Sequence, residues 1–288
     1  MRNAEYDRFG PWILEITETD PLPPLFIPYA TRKDASLLSI KIPRPIDRRS
    51  ATPGMNLYDY VLNMYKDDFD ILRREGEEVV KDNFNYCDIF CIKNSEVLLN
   101  GSLSLFTKDD NYTFPYNTVS SDIIYKIIHI VRERYTKAEN MPSLNEITPE
   151  DGELDFYFST LASAEKEKET GFKLFSYQSR IKLNQVGKSG LRNLFNLIIS
   201  KQLMESLHFC NGREVKIIGK GRDFKYIGQT DYGKEDCYIP LEKITGTEIA
   251  ANSSNPGLLD CIIHTADKSF TTIMSAENPT AAEYLKLN

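Results

Sequence analysis

Hydrophobic and polar residues alternate in short runs along the first half of the chain, which is the pattern of β-strands that bury one face. Polar turns separate these runs, among them 66–68 and 75–77. Short runs at this spacing predict an antiparallel meander. The predicted strands are 12–16, 37–42, 58–65, 69–74, 79–84, 88–92, 101–107 and 112–116.

The period of the pattern changes after residue 120. Apolar residues then recur at every third or fourth position, which places them on one face of a helix. Ser120 and Ser121 supply a cap for its first turn, and Asp122 lies where a carboxylate favours the helix dipole. We therefore predict an amphipathic helix over 121–136. Its apolar face consists of Ile123, Ile124, Ile127, Ile128, Val131 and Tyr135.

The middle of the chain has a mixed pattern. Residues 154–158 fit a strand or the start of a short helix, and 172–183 have an extended pattern. The alternating charges of 165–169 indicate a solvated turn or a surface helix. A second helical pattern covers 190–199. Its apolar face consists of Leu191, Leu194, Phe195 and Ile198.

Strand patterns return in the last third of the chain. A hairpin is predicted at Asn211 and Gly212, because this pair is a strong turn signal. A closing helix is predicted over 279–287, where Pro279 is compatible with the first helical turn. The predicted strands are 207–210, 214–218, 224–227, 236–239, 243–249, 258–263 and 269–274.

Changes in composition divide the chain into four segments. Frequent prolines near the start prevent a long regular element there, because proline donates no backbone hydrogen bond. Residues 1–54 are therefore predicted to form an extended N-terminal arm, with Trp12, the only tryptophan, buried as an anchor. A polar, acidic stretch over 138–153 is the best domain boundary. The other predicted segments are a first domain at 55–140, a linker with hairpin and helix elements at 141–203, and a second domain at 204–288.

The two predicted domains share an order of elements. Residues 101–107 can be laid against 257–265, with Asp109 and Asp267 at matching places. In both halves a strand precedes this segment and a helix follows it. The shared order is several antiparallel strands, a final hairpin and one C-terminal helix, and it predicts a duplication.

This order resembles the pleckstrin-homology-like fold, and the chain is similar in this respect to bacterial proteins of that type. The resemblance covers 55–140 and 204–288 and rests on the order of elements. It implies an α+β, mainly β fold with two bent antiparallel sheets or partly open barrels, each closed by a C-terminal amphipathic helix. An open barrel end would expose core residues, so a helix with one apolar face suits such a closure. A fold of this kind does not define a function.

The charge of the chain limits its partners. The chain has 288 residues and a formal net charge of -7. Proteins that bind nucleic acids or anionic membranes generally carry an excess of lysine and arginine to meet the phosphates. We therefore expect no nucleic-acid binding, and we expect membrane association to be unfavourable.

Cysteine usage and hydropathy indicate the compartment. The five cysteines are irregularly spaced, which suits buried thiols in a reducing compartment better than a disulfide framework. The first residues show no secretory pattern, and no stretch approaches the roughly 18 apolar residues that a membrane span requires. The expected location is the cytoplasm, and the oligomeric state stays open.

Sequence motifs of catalysis and metal binding do not occur. The chain has no Gly-x-Ser-x-Gly elbow, no His-Glu-x-x-His helix and no phosphate-binding Gly-x-x-x-x-Gly-Lys-Ser/Thr loop. Its five cysteines and three histidines do not have the spacing of zinc ligands. We expect no cofactor and no metal. A binding function is favoured over an enzymatic one, and an unrecognised hydrolase is kept as the third hypothesis.

Two groups of residues are candidate binding sites. The apolar face of the 190–199 helix packs between the domains, forms a dimer contact or docks a partner. The other group is a basic turn, where neighbouring glycines let backbone amides approach an anion. It contains Lys220, Arg222 and Lys225. The leading hypothesis is a binding or scaffolding protein whose partner is a protein or peptide, and the alternative is a membrane-surface adaptor that binds acidic lipid headgroups through the basic turn.

Overall fold

The fold is that of a computed structural model, which describes residues 6–7, 9–32, 35–108, 110–169, 171–183, 201–226 and 229–287. The chain divides into two compact units. Unit 1 consists of Met1–Ile92 and Leu98–Thr136, and unit 2 consists of Lys93–Val97 and Lys137–Asn288. Strands in antiparallel sheets dominate both units, which confirms the mainly β fold class.

The first sheet of unit 1 has five strands that lie side by side in chain order. They are β1 (Leu14–Glu15), β2 (Leu38–Pro43), β3 (Tyr58–Met64), β4 (Asp68–Glu75) and β5 (Glu78–Asn85). Each strand pairs antiparallel with the next. The alternating pattern favours this sheet, because every second side chain of a strand then contributes to one apolar face that is buried. Strands β1 and β2 lie within the predicted N-terminal arm.

Three further strands follow in chain order and lie next to one another. They are β6 (Ile89–Val97), β7 (Asn100–Thr107) and β8 (Asn111–Asn117). Side chains of β8 pack against the first sheet. The rings of Tyr60 and Phe114 meet edge to face at 5.1 Å, and those of Phe84 and Tyr112 meet at 5.2 Å. The core of unit 1 therefore includes side chains from both groups of strands.

Helix α1 (Ser121–Arg132) confirms the predicted amphipathic helix, although it ends at Arg132 rather than at residue 136. The apolar face is buried as predicted, and Tyr135 is buried beyond the helix end. Burial of each large apolar side chain contributes about 1.5–3 kcal/mol. The buried residues of α1 are Ile124, Ile127, Ile128 and Val131.

Besides the end of β6, the described residues of unit 2 form ten strands. They are β9 (Lys173–Gln178), β10 (Ile181–Lys182), β11 (Lys201–Leu203), β12 (Ser206–Cys210), β13 (Glu214–Gly219), β14 (Phe224–Tyr226), β15 (Gly233–Pro240), β16 (Ile244–Ala251), β17 (Leu258–Thr265) and β18 (Ser269–Ser275). Strands β9, β12, β13 and β15 are antiparallel neighbours in that order. The other strands form two three-stranded sheets, β10-β11-β14 and β16-β17-β18.

Helix α2 (Phe156–Lys168) shows that the charge run at 165–169 is the end of a helix, one of the two predicted alternatives, although Glu165 is buried. Three of its residues, Phe158, Ala162 and Glu165, are buried. They lie three or four positions apart and so share one face of the helix. Glu165 is therefore not solvated, and its carboxylate accepts a hydrogen bond from the ammonium of Lys216 on β13.

The segment predicted as a closing helix forms a 3-10 helix, Pro279–Lys286. Its hydrogen bonds run between residues three apart, as in the bond from the Leu287 N–H to the Tyr284 carbonyl at 3.2 Å. Short segments at helix ends commonly tighten in this way. Tyr284 is fully buried, and its ring lies 5.5 Å from that of Phe175. The segment is thus anchored in the core of unit 2, although it is not an α-helix.

In each unit a group of neighbouring strands is followed by three further strands and a helical segment, although unit 2 also contains the β10-β11-β14 sheet. Unit 1 has β2 to β5 in one sheet, then β6 to β8, then α1. Unit 2 has β9, β12, β13 and β15 as neighbours, then β16 to β18, then the 3-10 helix. Within the described residues, no sheet closes on itself into a barrel.

Candidate binding surface

Leu98 and Leu99, the two residues between β6 and β7, are among the most exposed apolar residues of the chain. Their exposed fractions are 64% and 61%. Two-residue connections favour glycine, asparagine or aspartate, because a positive φ is needed there. Leu98 has a φ of 54°, the only positive value at a non-glycine residue in the described part of the chain. This conformation costs roughly 1–3 kcal/mol for a residue with a Cβ, so the fold itself gains nothing from a leucine here.

Val119 is exposed by 69% and lies next to these leucines. The preceding residue, Thr118, donates its backbone N–H to the Leu99 carbonyl at 3.1 Å. Its hydroxyl donates to the Leu98 carbonyl at 2.8 Å. These two hydrogen bonds hold the start of the α1 segment against the turn, so three exposed apolar side chains occur at one end of unit 1.

Trp12 belongs to the same end of unit 1 and is 43% exposed, which corrects the prediction of a buried anchor. The Ile13 N–H donates to the Ser120 hydroxyl at 2.9 Å, which joins this segment to the one containing Val119. The indole lies over Gly10, where a Cβ would come within 2.4 Å of the ring. The ring therefore packs on backbone rather than inside the core. We call Trp12, Leu98, Leu99 and Val119 the apolar tip.

A groove with a volume of about 270 Å³ adjoins the apolar tip, since Leu99 is part of its lining. Four prolines line it, namely Pro11, Pro43, Pro45 and Pro115. Tyr116 also lines it, and its ring lies flat on Gly101, where a Cβ would come within 2.2 Å of the ring. Asn100 and Asn117 add polar groups to the lining. The prolines make part of the walls rigid, because proline has a fixed φ.

Arg44 is the only charged residue among the described residues that line this groove. One of its Nη atoms donates to the Asn56 carbonyl at 3.2 Å, and its Nε lies 3.7 Å from the Asp59 carboxylate. The same carboxylate oxygen accepts two hydrogen bonds from Arg74, at 3.0 and 2.7 Å. One carboxylate is therefore shared by two guanidinium groups, and the Asn56 amide in turn donates to the Glu77 carboxylate at 2.9 Å.

The helix predicted over 190–199, a candidate docking surface, is not part of the apolar tip. Leu191, Leu194, Phe195 and Ile198 lie outside the described residues. Their role in docking therefore stays a prediction. The apolar tip was not singled out from the sequence, although two leucines directly before an Asn-Gly pair at residues 100–101 were a possible signal.

The three cations of the basic turn, Lys220, Arg222 and Lys225, have different surroundings. The ammonium of Lys220 lies over the rings of Tyr157 and Phe158, at 4.8 and 5.2 Å from their centroids. Arg222 is exposed, whereas Lys225 lies on β14 opposite Gln202. Asp223 belongs to the same turn, and burial is the main cause that raises the pKa of its carboxyl. An anion bound at this turn would meet that carboxyl as well as the cations.

A serine, a histidine and a carboxylate meet on the β16-β17-β18 sheet, as a hydrolase would require. His264 Nδ1 lies 2.8 Å from the Ser269 hydroxyl, and its Nε2 lies 3.5 Å from the Glu248 carboxylate. The side chains of His264 and Glu248 are 36% and 57% exposed. Catalytic groups of this type act in a site that excludes water and supplies oxyanion donors. These three residues are instead neighbours on an exposed strand face, and sequence spacing alone did not bring them together.

Cysteines and histidines do not assemble a metal centre in the described part of the chain. No group of three or more His, Cys, Asp or Glu residues there is placed to hold a metal ion. All five cysteines are free thiols. Burial raises the pKa of Cys210 to about 11 and that of Cys261 to about 12. Both thiols are therefore protonated at neutral pH and poor nucleophiles.

Comparison with known proteins gives no match, since neither a protein-family model nor a curated protein is similar to this chain. The described helices include none that is long and apolar enough to cross a membrane. The chain is thus a mainly β protein of two units, with an exposed apolar tip and a proline-lined groove on unit 1. The function is argued from these features.

Proposed function

We propose that this chain is a non-catalytic binding or scaffolding protein with two pleckstrin-homology-like units in tandem, and that the apolar tip of unit 1 binds a protein partner. A group of neighbouring strands, three further strands and a closing helical segment follow one another in each unit, and this supports the tandem fold. The same order supports the duplication inferred from the sequence. Folds of this kind host many functions, so the binding role is argued from the surface.

The observation that carries the proposal is the exposure of four large apolar side chains at one end of unit 1. The leucines and the valine of the apolar tip are each more than 60% exposed. A contiguous exposed apolar patch commonly marks a site of protein contact. Leu98 adds a strained backbone to this exposure. Strain that does not serve the fold tends to persist where function requires it.

A protein partner suits this surface better than an anionic membrane does. The chain has a formal net charge of -7, and the surface of anionic lipid repels such a charge. The basic turn that would support the membrane alternative also contains Asp223. Apolar contacts with another protein do not require a positive surface, so the acidic balance does not oppose them.

The proposal predicts that polar substitutions at the apolar tip remove partner binding without unfolding the protein. The tip variant carries Leu98→Ser with Leu99→Ser. A matched control carries Phe156→Ser, since Phe156 is 89% exposed in unit 2. Tagged full-length proteins are used for affinity purification from the native cell lysate, with quantitative mass spectrometry. We expect the intact protein and the control to recover the same partner, and the tip variant to recover at least ten-fold less.

Thermal unfolding and circular dichroism of all three proteins establish that they are folded. Equal recovery of the partner by the tip variant would remove the apolar tip from the proposed function. Loss of the partner in the Phe156→Ser control alone would place the binding surface on unit 2.

A further inference from the structure

We infer that the apolar tip and its groove accept a short peptide segment in which an apolar side chain stands next to a carboxylate, with the apolar side chain in the groove and the carboxylate on Arg44. This inference rests on the proposed function, because it names the chemistry of the partner at the same surface. It follows from the size of the groove, the composition of its walls and the position of its charge.

The size of the groove favours side chains of a peptide over a cofactor. Its volume is about 270 Å³, whereas sites for small molecules generally have volumes of roughly 300–1,000 Å³. The groove also continues into the exposed apolar tip, because Leu99 belongs to both. A partner that fills the groove with one side chain therefore finds further apolar contacts outside it, as a segment of protein does.

The walls of the groove favour recognition through side chains. Pro115 lies on β8, which is an edge strand of its sheet. A proline on an edge strand has no N–H to donate to an added strand. Pro43 and Pro45 likewise have no N–H donors. Addition of a partner strand along these residues would leave hydrogen bonds unmade, so contacts between apolar side chains must supply the affinity.

The charge of the groove favours an acidic neighbour for the apolar side chain. Among the described lining residues none is acidic, and Arg44 carries their one charge. A guanidinium has five N–H donors, and the Asn56 carbonyl takes one of those of Arg44. The nearby Asp59 carboxylate is already bound by Arg74. A carboxylate on the partner would thus meet a guanidinium with donors to spare, and such pairs are short and strong.

A peptide array with the full-length protein tests this inference. The probes are immobilised hexapeptides, acetylated and amidated at their ends, in which Leu, Ile, Phe or Pro residues flank one Asp or Glu. A matched set carries Asn or Gln at the acidic position. We expect the acidic peptides to bind at least ten-fold more protein than their amide counterparts. The Arg44→Gln variant should lose this preference.

The control for this experiment is Arg49→Gln, since Arg49 is exposed in the 3-10 turn Arg48–Ser50 and does not line the groove. It should keep the preference for acidic peptides. Thermal unfolding of Arg44→Gln shows whether loss of its contacts with Asn56 and Asp59 disturbs the fold. Should that variant unfold, the comparison of acidic with amide peptides on the intact protein still decides the matter.

The outcomes separate this inference from the proposed function. Equal binding of acidic and amide peptides by the intact protein overturns the carboxylate contact, even if the Leu98→Ser, Leu99→Ser variant loses its partner. Absence of all peptide binding, with partner binding still lost in that variant, overturns the peptide ligand alone. Retention of the partner by that variant removes the proposed function too.

Two other occupants of the surface are also distinguished. Sedimentation of the intact protein as a dimer, and of the Leu98→Ser, Leu99→Ser variant as a monomer, would identify the occupant as a second copy of the chain. Binding to vesicles of phosphatidylcholine with phosphatidylserine that disappears in the same variant would identify it as a membrane. Either result overturns the inference of a peptide.

Discussion

Replacement of Lys216 by methionine should lower the free energy of unfolding by about 3–5 kcal/mol, the cost of leaving a buried charge without its partner. Lys216 lies on β13, and its side chain is only 3% exposed. Its partner, Glu165 on α2, has a side chain that is 7% exposed. The ammonium also lies 5.1 Å from the centroid of the Tyr238 ring. Lys216→Met removes all of these contacts and leaves a carboxylate inside unit 2.

Urea denaturation of two further variants isolates the buried charge as the cause. Combining Lys216→Met with Glu165→Met should regain at least half of the lost stability, because apolar side chains often replace a buried ion pair at little cost. Lys166→Met removes the neighbouring pair with Glu146, in which the side chains are 30% and 49% exposed. That variant should lose less than about 1 kcal/mol. A loss below about 1 kcal/mol for Lys216→Met as well would contradict the burial of this pair.

Acid should destabilise the protein by about 2 kcal/mol between pH 7 and pH 5 through one residue, His208. The imidazole is fully buried, and desolvation lowers its pKa to about 3. Its Nε2 lies 2.9 Å from the Ser206 hydroxyl. Its Nδ1 has no hydrogen-bond partner in the described part of the chain. Nothing there is placed to stabilise a charged ring.

The sign of this effect follows from the protons bound in each state. An unfolded histidine has a pKa of about 6.5, so the unfolded chain takes up a proton at pH 5 while folded His208 does not. The stability that His208 contributes is complete above pH 6.5 and decreases as the pH falls towards 3, by about 1.4 kcal/mol for each pH unit.

Urea denaturation at a series of pH values measures this contribution as a difference between variants. His208→Gln keeps a polar contact for Ser206 but does not titrate, so its stability should depend less on pH by about 2 kcal/mol over the same range. The control is His129→Gln, since the side chain of His129 is 70% exposed. It should behave like the intact protein. Identical pH dependence in His208→Gln would show that His208 accepts a proton in the folded state.

The strands and α1 could be predicted because local periodicity decides them. An alternating pattern gives a sheet a buried face, and the three-to-four spacing of the α1 isoleucines gives a helix a buried face. The burial of Glu165 in the charge run has the same physical basis. Alternating charge predicts a solvated turn or a surface helix, but Phe158 and Ala162 set the buried face of α2, and Glu165 lies on that face as well.

The apolar tip could not be predicted, because exposure depends on tertiary packing. Trp12 lies in an apolar run, which predicts burial, whereas its ring lies over Gly10 at the surface. Leu98 and Leu99 follow Val97, the last residue of β6, in a short apolar run, and the position of the turn exposes them.

Site-specific photo-crosslinking tests most directly whether the apolar tip is the binding surface. A photoreactive benzoylphenylalanine replaces Leu99 in one protein and Phe156 in a control, since both positions are exposed, by 61% and 89%. Each full-length protein is irradiated in the native cells, and its crosslinked products are identified by mass spectrometry. We predict that a protein partner is crosslinked from position 99 and not from position 156. Crosslinking of the partner from position 156 alone, or from neither position, would contradict the assignment of binding to the apolar tip.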